Sequence, residues 1–218
     1  MDSISQLIKI LHIIAGGIAL LTGLGAILFR HKVKIHKKIG KIYFWCMAFI
    51  FVSAIYMSLL KSNIFLLCVA FFSLYSAVTA YRSLKLKKLH LRQKPEKVDW
   101  MIETFFGAMH LGFVSFAVYL LINGDTSFGI ISLVFGLIGV RGNFSNIKRL
   151  RGNITEKSYW LMAHLTGMLG SYIATITAFL VNNNQKLGLP NMVAWLGPTI
   201  LIVPFIFYEV GKLKNKTV

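Results

Sequence analysis

Acid is what this chain lacks most. Seven Asp and Glu stand against 24 Lys and Arg in 218 residues, a net charge of +17, and charged residues of both signs make up 14%. A soluble domain carries about a quarter, so the composition argues against a fold with water on every side. Cysteine is nearly absent. Cys46 and Cys68 fall inside predicted spans, near opposite faces. They are too far apart for a disulfide and read as small apolar residues. Proline is rare, at four residues: Pro95 breaks a basic segment, and Pro198 and Pro204 are expected to kink the last span. No glycine-rich phosphate loop exists, because the glycines are dispersed along helical stretches. No Ser/His/Asp spacing suggests a hydrolase. The opening residues MDSISQLIKI offer neither a basic n-region nor a cleavage site, so the first apolar block is expected to remain as a helix.

What the chain does have is apolar residues in long blocks: 56% are hydrophobic and the mean hydropathy is +0.67. Blocks of this length in place of a 3.6- or 2-residue period mean membrane spans. The expectation is an all-α polytopic membrane protein, one transmembrane domain over residues 1–218. Its seven transmembrane helices are predicted at about 7–29, 42–60, 64–81, 100–122, 128–141, 159–181 and 192–210. A short turn over Lys61–Asn63 makes the second and third spans antiparallel neighbours. The fifth span is short and must stand upright or let Arg141 snorkel. Asp99 is a plausible N-cap for the fourth span, and Asn153 with Glu156 resembles a capping box before the sixth. Between Arg82 and Lys97, basic residues alternate with leucines, which fits a surface-lying amphipathic piece or a solvated loop.

Charge is segregated from apolarity. The connections after the first, third and fifth spans carry 6, 7 and 5 Lys/Arg and the tail carries 3, against Lys9, Lys61 and Lys186 on the other side. The positive-inside rule then puts the N-terminus outside and the C-terminus in the cytoplasm. A charge this high in a soluble protein would suggest nucleic acid. Here the cations flank spans, so the expected partner is the bilayer's anionic headgroups, with no nucleic acid.

Histidine inside hydrocarbon is the functional signal, because an intramembrane ionisable residue is costly and marks a site by default. His164 opens a face shared by Met168, Ser171 and Thr175 at i+4, i+7 and i+11. His110 shares a face of the fourth span with Glu103. His12 shares a face with Ala15, Ala19 and Gly23, small residues that let a neighbouring helix approach. At about 1.5 Å per residue, His164 lies roughly 8 Å and His110 roughly 14 Å from the cytoplasmic end, while His12 is near the outer face. His110 and His164 could therefore meet, with His36 folding over them.

Three chemistries fit. The first is a haem b with His110 and His164 as axial ligands, Met168 as an alternative and His36 nearby. Gly107, Gly112, Gly167 and Gly170 would leave room for the macrocycle and loop cations would meet the propionates. A possible redox role follows. The second is a zinc ion on His110 and His164 with a further histidine and a carboxylate, resembling seven-helix ceramidases. Against it, no helix carries two histidines one turn apart and no span holds an Asp. The third is a proton-coupled transporter using Glu103 and His110, with Glu103 pairing to Arg141 or a loop lysine as its plainer reading. The alternative to all three is an accessory protein whose histidines bond Ser, Thr or carbonyl groups across helices.

The stretch from His12 to Tyr43, ending in His36-Lys-Lys-Ile-Gly-Lys-Ile-Tyr43, resembles the start of a bacterial family of predicted multi-pass membrane proteins of unknown function. His164 through Phe179 is similar to that family's later helix. The resemblance covers most of the chain and implies a bacterial cytoplasmic membrane. It brings no activity, cofactor or catalytic residue.

Overall fold

Seven α-helices account for most of the described residues: α1 (Ser3–Leu28), α2 (Val33–Lys61), α3 (Ile64–Ser83), α4 (Lys97–Ile122), α5 (Thr126–Leu150), α6 (Tyr159–Asn183) and α7 (Asn191–Asn215). The computed structural model describes residues 3–61, 64–152, 154 and 156–215. Among these there is no strand. By length and composition α1, α2, α4, α5, α6 and α7 can each cross a membrane. Leu21, Trp45, Ile122 and Leu201 point outward at 70–79% exposure, an apolar surface that suits lipid. The chain is a multi-pass helical bundle with the character of a membrane protein.

The helices run longer than the apolar blocks that announce them. The basic stretch before Ile42 is already helical from Val33, and α5 continues past Arg141 to Leu150. Lys, Arg, Leu and Ile sustain a helix well, whereas hydropathy marks only the part that suits hydrocarbon. The fifth span is therefore not short, and Arg141 lies inside a continuous helix. Glu96, not Asp99, caps α4: Asp99 is the third helical residue, and its side chain accepts from the Glu96 N–H at 2.8 Å in a capping box. Asp125 caps α5 by accepting from Phe128 N–H at 3.3 Å. The proposed turn at Ser62 and Asn63 and the proposed cap at Asn153 lie outside the described residues. Pro198 and Pro204 both sit within one continuous helix, α7. The segment after α3 is neither a surface helix nor a solvated loop throughout. Leu86 and Leu89 are buried with Leu150, Tyr159 and Met162, closing one end of the bundle.

Successive contacts give the arrangement. His12 meets Ser53 and His36 meets Ala26, so α1 and α2 are antiparallel. Gly129 faces Leu121 and Gly139 faces His110, so α4 and α5 form a second hairpin. Ser83 meets Trp160 and Ala80 meets His164, so α3 and α6 are antiparallel. The basic connections and the α7 end therefore gather on one face of the bundle. α3 is the centre: none of its side chains from residue 67 to 83 is exposed, and it packs on α2, α4, α5 and α6. Gly167 makes the α3–α6 approach possible, since a Cβ there would stand 2.7 Å from the Ser76 carbonyl oxygen. α2 and α6 run parallel and meet along a seam. His36 faces His164, the Tyr43 hydroxyl lies 2.9 Å from Ser171 Oγ, and Thr175 Oγ1, which donates to the Ser171 carbonyl at 3.0 Å, lies 3.3 Å from Met47 Sδ.

Ala15, Ala19 and Gly23 of α1 are all buried, as their common face requires. A Cβ on Gly23 would overlap the edge of the Tyr172 ring, whose hydroxyl donates to the Leu20 carbonyl at 3.1 Å. Gly23→Leu is expected to cost about 1–3 kcal/mol through overpacking, read as a lowered melting temperature in detergent. Gly16→Leu, where a Cβ meets nothing within 4 Å, is the matched control and should melt near wild type.

Candidate functional site

Two separate clusters of polar side chains, one on each side of α3, hold three of the bundle's histidines. The first is built around Glu103. Its Oε2 accepts from the Tyr75 hydroxyl at 2.9 Å and from Asn143 Nδ2 at 2.8 Å. Asn143 Oδ1 lies 2.6 Å from His110 Nδ1. Because Nδ2 of that amide is spent on Glu103, Oδ1 must accept, which fixes the proton of His110 on Nδ1. On the other branch Asn146 Nδ2 donates to the Tyr75 oxygen at 2.9 Å, and Arg149 donates to Asn146 Oδ1 at 3.1 Å. Two chains of donors, one from His110 and one from Arg149, thus converge on one carboxylate. Three helices supply them: Tyr75 from α3, Glu103 and His110 from α4, Asn143, Asn146 and Arg149 from α5.

His110, Glu103, Asn143 and Tyr75 are each no more than 5% exposed, so each polar group needs its partner. His110 Nε2 has no hydrogen-bond partner, and its ring is boxed by Tyr75, Phe106 and Phe113. Gly139 supplies the fourth wall, because any Cβ there would overlap the imidazole. Toward the basic face a cavity of about 40 Å³ is lined by Glu103, Asn146, Arg149, Arg82 and Asp99, room for about one water. Arg82 closes it by pairing with Asp99 at 2.7 and 3.0 Å.

The second cluster is His36 and His164, with ring centroids 6.1 Å apart and planes at 79°. His36 Nδ1 lies 2.9 Å from the Ala26 carbonyl oxygen and His164 Nδ1 lies 3.1 Å from that of Ala80. A carbonyl only accepts, so each Nδ1 carries a proton, and in the neutral ring it is Nε2 that bears the lone pair. Among the described residues neither ring makes another hydrogen bond. Gly40, one turn after His36 on the same face, has nothing within 4 Å of where a Cβ would be.

The structure brings His36 to His164 and keeps His110 away from both. His110 packs on Tyr75, whereas His164 packs on Ala80. Five residues along α3 are about 140° apart around the helix, so the two imidazoles occupy different gaps with α3 between them. The expected His110–His164 pair is corrected accordingly; depth alone could not reveal the intervening helix. The glycines expected to make room divide in the same way: Gly107 faces Asn143, while Gly167 and Gly170 face α3. Met168 packs with Tyr43, Met47 and Tyr172, deeper than the histidine pair. His12 Nδ1 donates to Ser53 Oγ at 2.8 Å, since the hydroxyl proton goes to the Phe49 carbonyl. Glu103 pairs with Tyr75 and Asn143 and not with Arg141 or a lysine. Among the described residues no three His, Cys, Asp or Glu side chains converge as metal donors, so the three-histidine zinc arrangement is not assembled.

Sequence reasoning missed Asn143, Asn146 and Arg149 by reading them as loop. Their i, i+3, i+6 spacing on one helical face was the available signal. Tyr75 gave none, being an aromatic in an apolar run.

No family model, no curated protein and no solved structure matches this chain. The site is therefore read from its own geometry.

Asn143 serves two buried partners at once. Asn143→Leu is expected to destabilise by about 2–4 kcal/mol, because His110 and Glu103 each lose a hydrogen bond they cannot replace. Asn123→Leu, on an exposed helix end, should stay within about 0.5 kcal/mol. Equal melting of the two variants in detergent would contradict the network's role.

Proposed function

We propose that the protein is a multi-pass protein of the bacterial cytoplasmic membrane that holds a haem b between His36 and His164 and passes electrons at the cytoplasmic side. The observation that carries this reading is the pair of imidazoles, each anchored through Nδ1 to a backbone carbonyl and each left with a bare Nε2. A ligating histidine is usually oriented by such a bond from its other nitrogen. Two imidazoles on opposite sides of one metal, at about 2.0 Å per bond, have centroids about 6 Å apart, close to the observed 6.1 Å. The open space at Gly40 gives a flat group somewhere to lie. The α2–α6 gap supports it too, being bridged by long side chains and not by close backbone approach. Lys34, Lys37 and Lys38 flank His36 in sequence and suit propionates. Bound haem would supply one-electron chemistry; the chain would supply ligation, orientation and charge.

The second reading, proton-linked transport, is favoured by the donor chains converging on Glu103 beside a water-sized cavity. Spectroscopy separates the two. Protein purified from haem-replete cells should show a Soret band that is lost in His36→Ala and in His164→Ala and retained in His110→Ala and His31→Ala. Colourless protein that also fails to take up added haem overturns the haem reading and leaves the Glu103 pathway.

The charge asymmetry supports an N-out, C-in orientation, and the resemblance to a bacterial membrane family supports the location. Reporter fusions after Lys88 and Lys214 should report cytoplasm and a fusion at Asn183 should report outside. A cytoplasmic signal at Asn183 would reverse the assignment.

A further inference from the structure

A cleft of about 350 Å³ opens on the basic face between the ends of α5, α6 and α7. This lies within the usual range for small-molecule sites, about 300–1,000 Å³. Its mouth carries Lys148, Arg149 and Lys214, with Glu156 as the one carboxylate, so the site is net cationic. Arg149 is half-buried. Among the described residues its guanidinium donates one hydrogen bond, to the neutral Asn146 amide, and forms no ion pair. Glu156 lines the same cleft and Glu103 lies beyond Asn146 and Tyr75, but neither carboxylate pairs directly with this guanidinium, which keeps donors for an anion and whose fork matches phosphate oxygens in pairs.

The inner wall has a different chemistry. Met162, Thr166 and Val210 line it, and the Thr166 hydroxyl is already spent on the Met162 carbonyl at 2.8 Å. From Tyr159 to Thr166 the wall runs about 10 Å along α6, toward the middle of the bundle. The ligand must therefore be ionic at one end and apolar at the other. A soluble phosphate compound would leave the inner wall unfilled. A zwitterionic lipid would set its ammonium against the three cations.

We propose that this cleft is a specific site for an anionic phospholipid. The phosphate sits on Arg149 between Lys148 and Lys214, and the start of one acyl chain lies along Met162, Thr166 and Val210. Occupation would tie α5, α6 and α7 together at the basic face, where Val210 and Leu213 already pack on Tyr159 and Met162. The site does not depend on the haem reading.

The test uses the full-length protein in a neutral detergent, titrated with dioctanoyl phosphatidylglycerol, dioctanoyl phosphatidylcholine or inorganic phosphate and followed by thermal melting. Phosphatidylglycerol should raise the melting temperature saturably, and the other two should not. Arg149→Gln should weaken its binding about tenfold or more. Because that variant also touches the Asn146 network, the double variant Lys148→Gln/Lys214→Gln is measured beside it. Compared with its own ligand-free melting temperature, it should gain less stability from phosphatidylglycerol than the wild-type protein does. Equal stabilisation by phosphatidylcholine would mean unspecific filling and overturn the proposal. Equal stabilisation by phosphate alone would make this a soluble-anion site and overturn it. Unchanged binding in the double variant would place the lipid elsewhere and overturn it as well.

Discussion

A carboxylate buried among apolar helices is the constraint on which the middle of this bundle depends. Among the described residues Glu103 has no direct ion pair, so neighbouring helices must bring hydrogen-bond donors to it. Tyr75 comes from α3 and Asn143 from α5, and each bond fixes one helix against α4 in rotation and depth. Such bonds in a membrane interior are worth roughly 1–2 kcal/mol at most. Their geometric demand, however, is stricter than that of apolar packing, because lipid-like side chains can slide past one another and a hydrogen bond cannot. Close approach of α5 to α4 at Gly139 then follows, because the Asn143 donor has to reach.

The class of molecule was legible in the sequence, since long apolar blocks and scarce acid suit helices able to cross a membrane, and six of the helices are long and apolar enough to do so. The limits of its helices were not. Hydropathy reports where a helix meets hydrocarbon, and both α2 and α5 extend beyond that layer with basic residues that favour helix as much as leucine does. That one omission hid Asn143 and Asn146, because residues assigned to a loop cannot be assigned to a face. Within the spans, periodicity worked well: Ser171 and Thr175, placed on the His164 face by spacing, meet Tyr43 in the fold.

The histidines show what depth along a helix can and cannot say. His36 and His164 lie at the same level, and they are also neighbours. His110 lies only a few ångströms deeper, yet α3 stands in between. Which helices are adjacent depends on how seven cylinders pack, and that is decided by surfaces distributed over the whole chain. Local features at His110 carried no trace of Tyr75, although that ring is 5.0 Å away.

The α2–α6 seam has a mechanical consequence. His36, Tyr43 and Met47 meet His164, Ser171 and Thr175 in one register, so both helices present partners at the same steps of seven and four. Sliding one helix by a single turn breaks the His36–His164 contact and leaves at most one pairing in a new form, such as Tyr43 against Thr175, which already lie 3.4 Å apart. The seam thus sets the relative height of two helices whose backbones do not closely approach, with α1 packed against both and α7 against α6. The α4–α5 hairpin is different: through the span it leans mainly on α3. If the molecule changes shape, the natural dividing line runs along α3, and the Glu103 cluster lies across that line like a latch.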